Sequence, residues 1–183
     1  MTNSQTKLMF LTSRKFESNN AVRGAFLLTD AETKPLEFRC TNPIRPTPLQ
    51  KMLYGDILEQ YILVELIGQP LVKTVKDDPN LILVSDYSFL DLRTKINIPV
   101  VQITKEEQIN VSSNENETSF QMLNSSSGKF DPIVIRTHSK FSDDKIKAKE
   151  VLTEIFNNYD LIEPFNRVST ALEQVHAQKI GEV

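Results

Sequence analysis

The pattern of apolar and polar residues along the chain predicts strands first and helices afterwards. A short apolar run at 8–12 is followed by a second at 24–30, and apolar and polar residues alternate at 35–41. Alternation with a period of two is typical of a strand with one buried face. Only a short turn separates the second and third runs, so residues 24–41 are predicted to form a β-hairpin.

A helical pattern begins after a connection that is rich in proline. Three prolines at 43–48 make this connection stiff and extended. Pro48 suits the first turn of a helix, and Thr47 suits its N-cap. The helical spacing then continues past Gly55, which is predicted to kink or divide the helix, and Gly68 is predicted to end it.

The second half of the chain adds further strands and helices. Four apolar residues at 81–84 predict a buried central strand, which a short helix and a strand at 98–103 follow. The predicted fold is an α/β domain with a mixed central sheet and a C-terminal helical pair. Its predicted parts are an α/β core at 1–103, a polar and partly flexible excursion at 104–128, and a strand with two helices at 129–183, packed on the same core.

Composition is typical of a globular protein and argues against several kinds of site. The chain has 183 residues, of which 39% are hydrophobic and 25% charged, and its formal net charge is −3. Global positive charge therefore does not drive binding to nucleic acid. One cysteine and two histidines argue against a disulfide or a cysteine- or histidine-based metal site. No apolar run reaches the roughly 18 residues that span a bilayer, so a cytoplasmic protein without membrane contact is expected.

The stretch NLILVSDYSFLDLR, at 80–93, carries a resemblance to a known superfamily. Its buried strand runs into Asp86, and a helix-like segment follows. A strand, a β-hairpin, a helix and a strand ending in aspartate resemble the ribonuclease H-like superfamily over about residues 7–103. The resemblance lies in element order and this one aspartate. It implies a mixed sheet whose fourth strand runs parallel to the first.

Members of that superfamily that cut nucleic acid hold two divalent metal ions between carboxylates. The resemblance implies ligands on the first strand, on the first helix and at the tip of the fourth strand. Asp86 matches the last position, and Glu59, or less favourably Asp56 or Glu65, matches the helix. The first strand instead carries Thr, Ser and Arg at 12–14, which supply no negative charge for Mg²⁺.

The candidate metal ligands Asp86 and Asp144 also have structural explanations. Asp86 is predicted to cap the helix that begins near Ser88, which is favoured over a metal ligand. Asp143 and Asp144 stand at the start of a helix, where its dipole favours them, and Asp144 is the candidate for a late helical ligand. A ligand there would not replace the charge that is missing from the first strand.

The proline-rich connection, FRCTNPIRPTPLQKMLYG, is the other candidate site. Arg39, Arg45 and Lys51 surround it, and Tyr54 follows closely. Prolines lower the cost of ordering a loop, so this segment suits the binding of phosphate or of a partner's acidic groups. A connection whose basic residues only face water is an equal alternative.

These observations lead to three functional hypotheses. The leading one is a non-catalytic adaptor subunit of a larger cytoplasmic assembly, which needs no cofactor, binds a protein partner, and reaches nucleic acid through the basic turn. The first alternative is a divergent magnesium-dependent nuclease that uses Asp86, Glu59 and Asp144. The second is a small-ligand sensor, because open α/β sheets bind ligands at strand ends such as those near Ser13 and Asp86.

Overall fold

A seven-stranded mixed sheet forms the centre of the protein. The computed structural model describes residues 5–108 and 120–178. The strands lie in the order β3-β2-β1-β4-β5-β7-β6. Their bounds are β1 Leu8–Phe16, β2 Ala21–Thr29, β3 Pro35–Cys40, β4 Leu81–Val84, β5 Val100–Lys105, β6 Phe120–Leu123 and β7 Ile133–Thr137.

The two parallel contacts of the sheet lie at its centre. β4 runs parallel to β1 on one side and to β5 on the other, and the remaining pairs are antiparallel. The register places Leu8 beside Leu81 and Leu11 beside Val84. The predicted mixed sheet, with its fourth strand parallel to the first, is therefore confirmed.

Helical segments cover the two faces of the sheet. Their bounds are α1 Pro48–Tyr54, α2 Leu58–Tyr61, a π-helix Ile62–Gly68, α3 Gln69–Thr74, a 3₁₀-helix Tyr87–Thr94, α4 Asp144–Asn158 and α5 Glu163–Ala177. Single 3₁₀ turns lie at Gly55–Ile57, Glu106–Gln108 and Ser139–Phe141. The predicted C-terminal helical pair corresponds to α4 and α5.

Alternation along β1 and β4 divides the core into two layers. Phe10 and Leu83 point into the layer that contains α4 and α5, whereas Leu11 and Val84 point into the layer that contains the π-helix and the 3₁₀-helix. Successive side chains of a strand point to opposite faces. The same alternation assigns a face to each polar residue beyond Leu11 and Val84.

The local signals around α1 behave as the sequence predicts. Thr47 Oγ1 accepts a hydrogen bond from the Gln50 backbone N–H at 3.2 Å, and Gln50 Oε1 accepts one from the Thr47 N–H at 2.9 Å. Gly55 ends α1 with a φ of 52°, which confirms the predicted division of the helix. The predicted end at Gly68 is wrong. Gly68 has a helical φ of −62°, and the chain continues directly into α3.

The first two strands are longer than the apolar runs that predict them. β1 and β2 pair over nine residues each, from Leu8 beside Thr29 to Phe16 beside Ala21. The polar stretch between the runs forms the ends of both strands and a tight turn, in which Glu17, Ser18 and Asn19 have positive φ.

The excursion predicted at 104–128 lies only partly within the described residues. Residues 109–119 of this excursion lie outside them. Within the described part, β6 pairs with β7 at the edge of the sheet. The division of the chain into three parts stays a prediction.

A close approach between β2 and the π-helix depends on Gly24. A Cβ atom added to Gly24 would collide with Cγ2 of Ile67, which is fully buried. Overpacking of this kind forces a shift of backbone or side chains. The absence of a side chain at Gly24 therefore sets how closely the π-helix packs on the sheet.

We predict that Gly24→Ala lowers the free energy of unfolding by about 1–3 kcal/mol because its methyl group has no space. Chemical denaturation monitored by circular dichroism measures this change. Gly24→Ala combined with Ile67→Ala should be less destabilised than the sum of the two single variants. Additive effects would show that the contact with Ile67 is not the constraint.

Candidate functional site

The candidate site lies along the last half of β1, beyond the carboxyl end of β4. Alternation places Ser13 and Lys15 on the same face as Leu11, and Asp86 follows the end of β4. This is the face that α2 and the π-helix cover. Open α/β sheets bind ligands beyond the carboxyl ends of their strands, so the polar residues on this face form the natural place for a site.

A cavity of about 380 Å³ opens on this face, between the β1–β2 turn and the segment around α2. Val22, Ile62 and Leu63 belong to its apolar lining, and Lys15 and Lys51 are its basic residues. We call this cavity the lysine cleft. Ser13, Asp56 and Glu59 are further residues of its lining.

In the lysine cleft, Lys15 forms an ion pair and Lys51 makes a weak polar contact. Lys15 Nζ lies 3.1 Å from Glu59 Oε1, and both side chains are about half exposed, at 52% and 56%. Lys51 Nζ donates to Asn20 Oδ1 at 3.5 Å. Within the described part of the chain, Lys51 has no carboxylate partner. Glu59 is therefore neutralised by Lys15, whereas Lys51 keeps its charge available.

Asp86 performs the structural role that the sequence favours. Its Oδ1 accepts a hydrogen bond from the Ser88 backbone N–H at 2.8 Å and caps the 3₁₀-helix. Ser, Thr, Asp and Asn are preferred at such positions because a side-chain oxygen satisfies an N–H that has no partner within the helix.

The described residues do not fit the metal ions that the resemblance implies. They contain no group of three or more histidine, cysteine, aspartate and glutamate side chains that could hold a metal ion. Asp86 caps a helix, Glu59 pairs with Lys15, and Asp144 pairs with Arg93. Ser13 adds a neutral hydroxyl where the resemblance implies an anionic ligand. A two-metal site needs several carboxylates around both ions, and this face does not supply them.

Asp144, at the start of α4, is a buried structural residue. Only 4% of its side chain is exposed, and its Oδ2 accepts a hydrogen bond from Arg93 Nε at 2.7 Å. Arg93 also donates to the Ile96 carbonyl at 3.0 Å and stacks over the Phe141 ring at 4.1 Å. The interpretation of Asp144 as a helix-dipole residue therefore misses its main partner.

We predict that Asp144→Asn destabilises the protein by roughly 3–5 kcal/mol because it leaves the buried Arg93 charge without its partner. Thermal and denaturant unfolding measure this loss. The matched control is Asp143→Asn, at the exposed neighbouring position, which should change stability by no more than about 0.5 kcal/mol. Equal effects of the two variants would contradict the structural role of the ion pair.

The opposite face of β1 carries a second polar cluster, which the sequence did not identify. Thr12 Oγ1 and Ser85 Oγ share a hydrogen bond of 2.5 Å between the two parallel strands. Arg14 donates to Ser169 Oγ of α5 at 2.9 Å and forms an ion pair with Glu173. Ser169 lies 155 residues from Arg14 along the chain, so no local sequence signal joins them.

The basic turn predicted from sequence is divided between different partners. Arg39 Nε contacts Glu37 at 2.5 Å, and Arg45 donates two hydrogen bonds to Glu17 at 2.8 and 2.9 Å. This contact with Arg39 is the main cause that lowers the pKa of Glu37. Of the four predicted binding residues, Lys51 lines the lysine cleft.

Tyr54, the fourth predicted binding residue, stacks on Tyr61 with 4.7 Å between ring centroids. This aromatic pair links the end of α1 to the end of α2. A hydrogen bond between the two side chains is the main cause that raises the pKa of Tyr61. Binding by Arg39, Arg45, Lys51 and Tyr54 as a set stays a prediction.

Helix α1 presents its apolar side chains to solvent. It has no buried residue, and Leu49, Met52 and Leu53 are 63–79% exposed. Their spacing is helical, as the sequence indicates, but no other element of the described chain covers them.

None of the described helices is both long enough and apolar enough to cross a membrane.

Comparisons with known proteins identify the fold. No family model and no curated protein matches this chain. A solved endonuclease V of Bacillus subtilis is similar over 96% of this chain and 84% of its own, with a TM-score of 0.58 and 13% identity. That of Streptomyces avermitilis is similar over 94% and 84%, with a TM-score of 0.54 and 10% identity. Human ENDOV is similar over 95% and 86%, with a TM-score of 0.54 and 11% identity.

These similarities confirm the predicted resemblance at the level of the fold, since the endonuclease V structures have a ribonuclease H-like fold. They also correct the leading functional hypothesis. The prediction of a non-catalytic adaptor that works through protein–protein interaction is wrong, because the structures that share this fold over nearly the whole chain are nucleases. A protein partner has no support in these similarities.

Proposed function

We propose that this protein acts on nucleic acid and that it binds its ligand at the lysine cleft. The observation that carries the proposal is the structural likeness to endonuclease V over 96% of the chain. Of the three hypotheses drawn from the sequence, the nuclease alternative is the one that this likeness favours. Identity of 13% or less means that the likeness concerns the fold, so the residues of the cleft must supply the remaining argument.

The cleft has the chemistry that a nucleic-acid backbone needs. Most protein contacts to nucleic acid go to phosphate and sugar, and lysine is a common donor to phosphate oxygens. Lys15 and Lys51 both line the cleft, and the Ser13 hydroxyl lies in the same lining.

Cleavage is a separate question from binding at this site. Two-metal hydrolysis requires acids that surround both ions, and the described residues contain no such group. We therefore assign no step of a reaction to a metal ion here. Binding and cleavage are best measured apart, with metal ions as a controlled variable.

We predict that the purified protein binds labelled 24-nucleotide DNA or RNA, single- or double-stranded, with a Kd of about 1–100 μM at physiological salt. Fluorescence anisotropy measures the affinity, and gel electrophoresis of the same samples reports cleavage with Mg²⁺, with Mn²⁺ and with EDTA. The affinity should fall as salt rises, because phosphate contacts release counterions. The proposal would be contradicted if the protein bound none of the four ligands at ~100 μM protein, the weak end of non-specific affinities.

If cleavage is observed, Asp86→Asn tests the nuclease assignment. Loss of cleavage in a folded variant would support a chemical role for Asp86, whereas full retention would confine it to capping the 3₁₀-helix. Circular dichroism melting is the control and should show nearly unchanged stability, because asparagine caps a helix about as well as aspartate.

A further inference from the structure

We propose that the lysine cleft contacts a phosphate group directly through Lys15 and Lys51, without a divalent metal ion between protein and ligand. This inference rests on the proposed action on nucleic acid and specifies how the site recognises its ligand. It separates this chain from the two-metal arrangement that the ribonuclease H-like resemblance implies.

The first step of the argument concerns negative charge. Mg²⁺ prefers hard anionic oxygen ligands, and a protein holds it tightly only where several of them converge. On this face, Ser13 is neutral, Asp86 accepts the Ser88 N–H, and Glu59 lies 3.1 Å from the Lys15 ammonium. A cation supplied by the protein itself therefore already occupies the position beside Glu59.

The second step concerns where Lys15 points. Lys15 lies two residues beyond Ser13 on β1, so both residues share one face of the strand. The ion pair with Glu59 of α2 directs the Lys15 side chain toward the lysine cleft, whose lining includes all three residues. Glu59 is thus the group with which a phosphate would compete for the Lys15 ammonium.

The third step concerns the cost of exchanging partners. The Lys15–Glu59 pair is about half exposed, and such pairs contribute only about 0–1 kcal/mol to stability. A phosphate group can therefore replace Glu59 as the partner of the Lys15 ammonium at low cost. Among the described residues, Lys51 has only the 3.5 Å contact with Asn20 to give up. Because both lysines line one cavity, a strand bound there can contact both through its phosphate groups.

The test compares matched lysine variants in the presence of EDTA and of Mg²⁺. We expect Lys15→Gln and Lys51→Gln each to weaken strand binding about 5- to 10-fold at low salt. Each should also lower the slope of log K against log salt by about 0.7–0.9, the value for one phosphate contact. Lys147→Gln is the control, because Lys147 is an exposed residue of α4 on the opposite side of the sheet. EDTA should leave the wild-type affinity unchanged.

Glu59→Gln distinguishes the two kinds of site most directly. If Lys15 contacts phosphate, removal of the competing carboxylate should strengthen strand binding by about two- to fivefold, in the range of one exposed ion pair. If Glu59 instead holds a metal ion, the same change should weaken Mg²⁺-dependent binding. Thermal unfolding of each variant checks that the fold is retained.

Three results would overturn the inference while leaving the proposed function intact. They are wild-type binding that EDTA abolishes, lysine variants that bind like Lys147→Gln, and weaker binding by folded Glu59→Gln. A wild-type protein that binds none of the strands would instead refute the proposed function, and the inference with it.

Discussion

The parallel pairing of β1 with β4 is the constraint on which the rest of this structure depends. Both strands are buried on both faces, so their register cannot slip by one residue without moving every apolar side chain into the wrong layer. Once Leu11 lies beside Val84, the residues that follow each strand are assigned to fixed faces. Thr12 and Ser85 meet on the face of α5, and Ser13 points to the face of the π-helix.

The electrostatics of this edge follow from that register. One face closes the gap between the strands with two hydroxyl groups and places Arg14 against α5. The other opens into a cleft where Lys15 neutralises Glu59. Cations supplied by the chain therefore stand on both faces of this edge. A shared fold does not by itself fix the chemistry of its site.

The helical layer over the cleft is unusually broken. Gly55 ends α1, a single 3₁₀ turn follows, and the chain then passes through α2 into a π-helix before α3. π-helical turns are rare and often lie at functional sites. Here the π-helix packs against Gly24, and the interruption at Gly55 allows α1 to project with its apolar side chains in solvent. The break in the helix is thus what forms one wall of the lysine cleft.

Local sequence signals determined much of this fold. Apolar runs predicted the central strand β4, alternation predicted the β2–β3 hairpin, and Thr47 and Gly55 marked the start and division of a helix. The absence of an acid at 12–14 was also visible at once. Such features depend on residues that are close together along the chain, so sequence patterns can predict them.

Tertiary structure alone decided which charged groups meet. Arg93 reaches Asp144 across 51 residues, and Lys15 on β1 meets Glu59 on α2. Gly68 does not end a helix: its backbone stays helical, and it packs against Leu92. Folding brings these groups together through strand register and helix packing, which join residues distant in sequence. Composition and spacing therefore indicated the scaffold and the absence of an acid from the first strand, while three-dimensional packing paired Lys15 with Glu59 in the cleft.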